Sequence, residues 1–216
     1  MSLLYDPHLL TSESRRKAID TLLENIIPDH DFYLLLIGAV FLAAGGIFLD
    51  SVPVLIASMI VAPLAYPILG LALGMASRDW RLIRQSAAVL AAAFVIILAL
   101  ATLVTVAFGH VRIDNIFISF TPNRFLATGT ALIAGVIATY GLVRPKVSEA
   151  MTGVAIAVSL MPPLVATGIE WASNNDTLAK DALILFFLNV VGILIASSFI
   201  FVLLGITHEY RSPKRL

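Results

Sequence analysis

The sequence predicts an all-α polytopic membrane protein of six transmembrane helices, arranged as two inverted repeats of three helices each. Two observations concern composition: 59% of the 216 residues are hydrophobic, and only 13% are charged. Soluble domains usually carry about 25% charged and about 45–50% apolar residues. The third observation is that the apolar residues form six segments, each close to the length needed to cross about 30 Å of hydrocarbon. The lipid bilayer is therefore the expected surrounding.

Composition also argues against several kinds of function. The formal net charge is zero, so we expect no nucleic-acid partner. The chain contains no cysteine, which excludes disulfides, thiolate metal sites and cysteine catalysis. Its four histidines are scattered, and no motif for catalysis or phosphate binding is present. The tripeptide D-H-D at 29–31 is only a weak indication of a metal site, so we expect no enzymatic activity, no cofactor and no bound metal.

Residues 1–31 are predicted to form a cytoplasmic N-terminal region with an amphipathic helix from Ser12 to Ile27. Apolar residues recur there at helical spacing, Thr11 or Ser12 can serve as the N-cap, and Pro28 ends the helix. We expect this helix to lie at the membrane surface or to pack on the bundle. The charged residues of this region argue against a cleavable signal peptide.

Residues 32–205 are predicted to form the transmembrane domain, and residues 206–216 a cytoplasmic tail. The six predicted spans are 32–49, 52–76, 85–108, 125–143, 150–171 and 180–205. Of the 14 lysines and arginines, 11 fall on the side of the two ends of the chain and three on the other side. The positive-inside rule therefore predicts that both termini are cytoplasmic.

The two halves of the domain have the same organisation: a plain span, then a span containing prolines, then a long plain span. An offset of 100 residues aligns Pro63 with Pro163 and Leu64 with Leu164, together with three further identical residues. Because three is an odd number, the second half would enter the membrane from the opposite side. Inverted repeats with matching interrupted segments are typical of transporters, whose binding site lies at the interruptions.

The prolines of spans two and five are predicted to break both helices near the middle of the membrane. Proline lacks an N–H and clashes with the preceding turn, at a cost of about 3 kcal/mol or more. The ten residues 52–61 extend about 15 Å, half of the hydrocarbon core. We expect Pro67, and either Pro162 or Pro163, to begin the second half-helices. The alternative is that these prolines only kink otherwise continuous helices.

Helix ends at a break carry partial charges that can hold an anion, or an anion and a cation, without a charged side chain. No predicted span has an ionisable residue at its centre, and Glu170, at the end of span five, is expected to be solvated. Asn189 would be costly to leave unpaired in lipid, and for it a helix–helix hydrogen bond is the alternative. The candidate substrate-binding residues are Ser58, Ala62, Pro63, Tyr66, Pro67, Ser159, Pro162, Pro163 and Asn189.

Three stretches carry a resemblance to a known family: I-A-S-M-I-V-A-P-L-A-Y-P-I-L-G at 56–70, G-V-A-I-A-V-S-L-M-P-P-L at 153–164 and N-V-V-G-I at 189–193. They resemble the motifs of the bacterial and archaeal membrane proteins known as domain of unknown function 389, over about residues 32–205. Ala57-Ser58 stands where a Gly-Ala pair is more typical, which would alter packing at the first break. Many relatives also carry a soluble domain, and we expect none here. The resemblance implies the fold and a cytoplasmic (inner) membrane location, and leaves the substrate open.

The sequence therefore predicts a transporter or channel for a small solute or ion, with a neutral or anionic solute preferred, bound at the midplane between spans two and five. The alternative is a non-transporting membrane scaffold or assembly protein. A transporter predicts a polar cavity at the midplane, and a scaffold predicts a dry, packed one. Small-residue faces such as G-L-A-L-G at 70–74 are compatible with a homo-oligomer, which we also expect.

Overall fold

The computed structural model describes residues 11–109, 124–144 and 149–211, and these residues are organised as α-helices without strands. The helices are α1 (Ser12–Ile26), α2 (His30–Phe48), α3 (Val52–Val61), α4 (Ala65–Ser77), α5 (Trp80–Phe108), α6 (Arg124–Val143), α7 (Glu149–Ala172), α8 (Asp176–Leu203) and α9 (Ile206–Tyr210). The all-α prediction is confirmed. Four charges used for the predicted orientation, Arg112, Lys146, Lys214 and Arg215, lie outside the described residues.

Among the described residues, five helices are long and apolar enough to cross a membrane: α2, α5, α6, α7 and α8. The pair α3 and α4 also meets this criterion when taken together, which gives up to six spans. The faces that these helices turn away from the core carry large apolar residues, such as Val95, Ile195 and Phe199, each at least 60% exposed. Exposed apolar side chains in such number suit a bilayer and would be unfavourable in water.

The second span is interrupted where its prolines lie. Helix α3 ends at Val61, α4 begins at Ala65, and the two axes are bent by 55°. The N–H of Ala62 donates to the carbonyl of Ser58 at 3.1 Å and closes α3. Pro63 lies in the connection, and Pro67 lies in the first turn of α4, where the helix has no use for its missing N–H.

The fifth span differs from the prediction. Helix α7 runs without interruption from Glu149 to Ala172, with Pro162 and Pro163 inside it, so the expected break in this span is wrong. Both prolines are buried, and 72% of this span is enclosed by protein, a larger share than in the other spans described. The close packing of this span, together with a hydrogen bond presented below that replaces the donor missing at Pro163, supports the helix through this segment.

Helix α1 packs on the bundle. Its N-cap is Thr11, whose hydroxyl accepts from the N–H of Ser14 at 3.2 Å. Ile19, Leu22 and Ile26 are at most 1% exposed, because they face the other helices, chiefly α4. Of the two expected positions, surface or bundle, the structure therefore has the second.

The D-H-D tripeptide has a structural role at the beginning of α2. The carboxylate of Asp29 is the N-cap of this helix and accepts from the N–H of Phe32 at 2.8 Å. An aspartate at this position satisfies a backbone donor that the first turn of the helix leaves unpaired. This contact accounts for the first aspartate of the tripeptide without a metal ion.

Two side-chain contacts join α9 to other parts of the bundle. Arg16 of α1 and Glu209 of α9 form an ion pair with 2.6 Å between Nε and Oε1. The Tyr210 hydroxyl donates to Oδ2 of Asp79 at 2.6 Å. The hydrogen bond from Arg16 lowers the pKa of Glu209, and the hydrogen bond from Tyr210 lowers the pKa of Asp79. Helices α1 and α9 and the α4–α5 connection therefore lie together at one end of the bundle.

Small residues let the helices approach closely within the chain. A Cβ atom at Gly46 of α2 would come within 2.7 Å of the backbone nitrogen of Leu55 in α3. A Cβ atom at Gly70 would come within 2.6 Å of Oγ of Ser86 in α5 and would also overlap Ile26 in α1. The glycines at 70–74 thus pack against helices of the same chain. This packing explains the small-residue face without a contact to a second copy of the chain.

Candidate functional site

The two proline segments border one cavity of about 330 Å³. Leu64 and Ile68 line it from the break between α3 and α4, and Leu160 and Leu164 line it from the proline segment of α7. Phe94 of α5 and Phe186 of α8 contribute to the remaining walls. Every residue of the lining is apolar, whereas a transporter was expected to have a polar cavity here. The polar cavity predicted between the two proline segments is therefore absent from the described residues, and the cavity found there is apolar.

Prolines leave particular backbone carbonyls without their usual helical donor. In an α-helix, the N–H of residue i+4 bonds the carbonyl of residue i. Pro63 therefore offers no donor to the carbonyl of Met59, and Pro163 offers none to the carbonyl of Ser159. Around the first of these positions the helix is interrupted, and the adjoining residues Ala62 and Leu64 are only 5% and 3% exposed. The irregular backbone is thus enclosed by protein, as a membrane requires.

At the second position, the side chain of Asn189 supplies the missing donor. Its Nδ2 donates to the carbonyl of Ser159 at 2.8 Å, from α8 to α7. Both residues are buried, at 4% and 8% exposure. An amide N–H from a neighbouring helix therefore replaces the N–H that Pro163 lacks, which explains why α7 remains helical there. Of the two roles considered for Asn189, the helix–helix hydrogen bond is the one present.

The same amide leaves its oxygen unused. Oδ1 of Asn189 is buried and has no hydrogen-bond partner among the described residues. An orphaned acceptor in a buried place costs free energy and usually has a structural or functional reason. Nδ2 must face the carbonyl because only the nitrogen can donate, so Oδ1 remains available for a donor. A ligand with an N–H or O–H group could donate a hydrogen bond to this oxygen.

None of the nine predicted site residues lines the cavity, which is formed by their apolar neighbours. Ser58 is fully buried, and its hydroxyl donates to the carbonyl of Leu55 in its own helix at 2.6 Å. Pro67 is buried, and Tyr66 is partly buried against the core. Thr167, one turn after Pro163, donates to the carbonyl of that proline at 2.8 Å. Among the nine predicted residues, the bond from Asn189 to Ser159 joins two different helices, whereas the bond from the N–H of Ala62 to the carbonyl of Ser58 lies within one segment.

Sequence reasoning missed a pair of contacts between the two halves of the chain. Oγ1 of Thr102 in α5 donates to the carbonyl of Gly168 in α7 at 3.2 Å. Oγ of Ser198 in α8 donates to the carbonyl of Ala72 in α4 at 3.0 Å. Ser198 lies 96 residues after Thr102, and Gly168 lies 96 residues after Ala72. The signal available in the sequence was this shared offset between two hydroxyl residues, one in each long span.

The prediction for Glu170 is wrong. This residue was expected to be solvated at the end of span five, and the structure leaves it only 4% exposed. The reason is the enclosure of α7, since Ile169 beside it is fully buried. Its backbone carbonyl also accepts from the N–H of Asn175 at 3.0 Å in the turn that follows.

Comparisons with known proteins agree with the motifs. The family model described as "Domain of unknown function (DUF389)" matches residues 59–195, a narrower range than the expected 32–205. The chain is 33% identical over 186 residues to an uncharacterized protein of the archaeon Methanocaldococcus jannaschii, a match that covers 84% of this chain and 56% of the relative. The chain thus spans little more than half the length of that relative. No solved structure matches.

Proposed function

The chain belongs to the DUF389 family of membrane-like helical proteins, and from that premise we propose that it is an integral membrane transporter or channel for a small solute. The site lies at the midplane, between the break of α3 and α4 and the proline segment of α7. The single observation that carries the proposal is that these two weakened segments, about 100 residues apart in the chain, border one cavity. A scaffold would not require the two proline segments to border a common cavity.

Six membrane crossings are part of the proposal, with α3 and α4 counted as one broken span. Helix α1 and helix α9 are joined by the Arg16–Glu209 ion pair, and Arg211 donates to the carbonyl of Ser77 at the end of α4. Elements on one side of a membrane must be separated by an even number of crossings. Had α3 and α4 returned to the side they came from, α1 and the end of α4 would be on opposite sides. The bend of 55° is also far from the reversal that a re-entrant loop needs.

Further support concerns the inverted repeat. Span three packs against span five, and span six packs against the second half of span two. The bond from Thr102 to Gly168 and the bond from Ser198 to Ala72 are related by an offset of 96 residues. This is four fewer than the offset that aligns Pro63 with Pro163, so in the proposed repeat span two has four extra residues between its break and Ala72. An internal pseudo-two-fold axis would interchange these two contacts. In transporters built this way, one repeat rocks against the other around a fixed site.

The conformation described here is occluded. Ser58, Ser159 and Asn189 are all less than 9% exposed, and the neighbouring cavity is apolar. Rocking of the repeats would open the break, where backbone carbonyls and N–H groups lack regular helical partners. The unused oxygen of Asn189 accepts hydrogen bonds, which favours a neutral solute with donor groups over an anion.

The test is solute flux through purified protein in liposomes, followed by light scattering after rapid mixing. The panel contains urea and glycerol as neutral solutes with donor groups, and nitrate as a small anion. We expect protein-dependent entry of at least one neutral solute, reduced in Asn189→Leu and unchanged in Ser197→Ala. Ser197 is a matched control because it is also buried in α8 and donates to a helix carbonyl.

A second measurement distinguishes occlusion from a permanently packed interface. Single cysteines at Ser58, Ala65, Ser159, Val165 and Asn189 are exposed to a water-soluble thiol reagent in membranes, with Phe199 as the lipid-facing control. The native chain has no cysteine, so the background is clean. Slow labelling at the break positions that a transported solute inhibits would support the transporter. Absence of both flux and labelling would instead make the scaffold the better assignment.

A further inference from the structure

The apolar cavity is not sealed. On the side of α5 and α8 its lining includes Ala91, which is exposed, and Phe187, which is 51% exposed. Both residues belong to helices that are apolar enough to span a membrane, so this opening faces the hydrocarbon of the bilayer. An empty apolar void would leave its walls without contacts on one side. At the roughly 30 Å³ that a water molecule or a similarly sized methylene group occupies, the cavity has room for about ten methylene groups.

A second depression lies on the same helix, nearer to its N-terminal end. It is lined by Trp80, Arg81, Arg84, Gln85 and Ala88. Trp80 is 68% exposed, and both arginines are exposed. None of the five residues is acidic, and the neighbouring carboxylate of Asp79 offsets part of the charge of Arg81, so the two arginines leave the depression with a net positive charge. Tryptophan and arginine together are typical of the level of the lipid headgroups.

The two depressions form one stripe along α5. Trp80, Arg84, Ala88, Ala91 and Phe94 are spaced by three or four residues, which places them on one helix face. Arg84 and Phe94 are ten residues apart, or about 15 Å along the helix, which is half of the hydrocarbon core and thus the depth of one leaflet. A headgroup at the arginines would therefore have its acyl chain at the level of the cavity.

We propose that this stripe binds one anionic phospholipid, with its phosphate at Arg81 and Arg84 and one acyl chain in the cavity between α4, α5, α7 and α8. The chain end then contacts Leu64 and Leu160, which belong to the two proline segments. The lipid fills the space into which these segments would move. Lipid binding at this site does not depend on whether a solute crosses the protein, so it can fail or succeed independently of the proposed transport.

The test measures lipid retention by native mass spectrometry of the purified protein in a neutral detergent. Phosphatidylglycerol and phosphatidylcholine with the same acyl chains are added in parallel. We expect one phosphatidylglycerol per chain to be retained, with weaker retention of phosphatidylcholine. The double variant Arg81→Gln/Arg84→Gln should bind phosphatidylglycerol about 30-fold more weakly, since each arginine near a charged surface contributes about 1 kcal/mol.

Two further variants separate this site from general surface charge. Arg78→Asn removes a positive charge from the connection before α5, outside the stripe, and this variant should bind phosphatidylglycerol as the wild type does. Arg78 has a φ of 56°, a conformation that asparagine tolerates well. Ala91→Trp fills the mouth of the cavity and should abolish retention of long-chain phosphatidylglycerol while binding of a six-carbon-chain analogue persists. Equal losses in Arg78→Asn and the double variant, or unchanged retention in the double variant, would overturn the proposal.

Discussion

The hydrogen bond between Asn189 and the carbonyl of Ser159 gives a quantitative prediction. If Asn189 replaces the donor that Pro163 lacks, Asn189→Leu should destabilise the wild type but have little effect in a Pro163→Ala background. Alanine supplies its own N–H to the carbonyl of Ser159, so the amide is no longer needed. The two substitutions should therefore be strongly non-additive.

The magnitude follows from the geometry. The bond is 2.8 Å long and buried at both ends, and a buried carbonyl left without a donor costs about 1–3 kcal/mol. Measured interhelical bonds in membranes average about 0.6 kcal/mol, with a maximum of about 1.7 kcal/mol. Asn189→Leu removes the unpaired Oδ1 in both backgrounds, so that gain cancels from the coupling. We expect a coupling free energy of about 1–2 kcal/mol between the two substitutions.

The assay is reversible unfolding in mixed micelles titrated with sodium dodecyl sulfate, applied to the wild type, both single variants and the double variant. The free energies of unfolding of the four proteins give the coupling directly. Ser197→Ala in both backgrounds is the control, because Ser197 donates to the carbonyl of Gly135 in α6, whose own helix also supplies a donor from Thr139. Additivity of Asn189→Leu and Pro163→Ala within about 0.5 kcal/mol would refute the replacement of the proline donor by Asn189.

The remaining predictions concern packing and pH. Gly46→Ala should destabilise the protein by about 1–3 kcal/mol, because the new methyl would meet the backbone of α3, whereas Gly38→Ala, with no atom within 4 Å, should not destabilise it; thermal unfolding of both variants measures this, and equal melting temperatures would contradict it. Glu209 has a pKa lowered from 4.5 by Arg16, so its ion pair stabilises the fold above pH 4.5 and is lost as the pH falls through the lower, folded-state pKa. The difference in melting temperature between the wild type and Arg16→Gln should therefore shrink as the pH is lowered below 4.5, and a constant difference would show that the ion pair does not stabilise the fold.

The helix limits could be predicted well from the sequence. Apolar segments of membrane length, together with N-cap residues such as Thr11 and Asp29, fixed most limits to within a few residues, since both signals are local. The interruption at Pro63 could also be predicted, because proline removes a helical hydrogen bond there and no neighbouring residue in the sequence replaces it.

What could not be predicted depends on contacts between distant residues. The break expected at Pro162 and Pro163 is absent, and at Pro163 the reason is that Asn189, on another helix, supplies a donor. Proline chemistry is the same at Pro63 and Pro163, and the difference between the two spans comes from what packs beside them. The apolar lining of the cavity likewise required the fold, since Leu64, Phe94 and Leu160 are unremarkable as single residues.

The ion pair between Arg16 and Glu209 joins residues that are 193 positions apart. A ribosome adding about 5–20 residues per second needs about 10–40 s to cover that distance. During this interval α1 is already synthesised, but the helices that will cover Ile19, Leu22 and Ile26 are not all in place. An amphipathic helix in that situation rests in the plane of the membrane interface. Helix α1 can pack on α4 as soon as Ser77 has been synthesised, whereas its contact with α9 has to wait for Glu209, so the ion pair is among the last contacts to form.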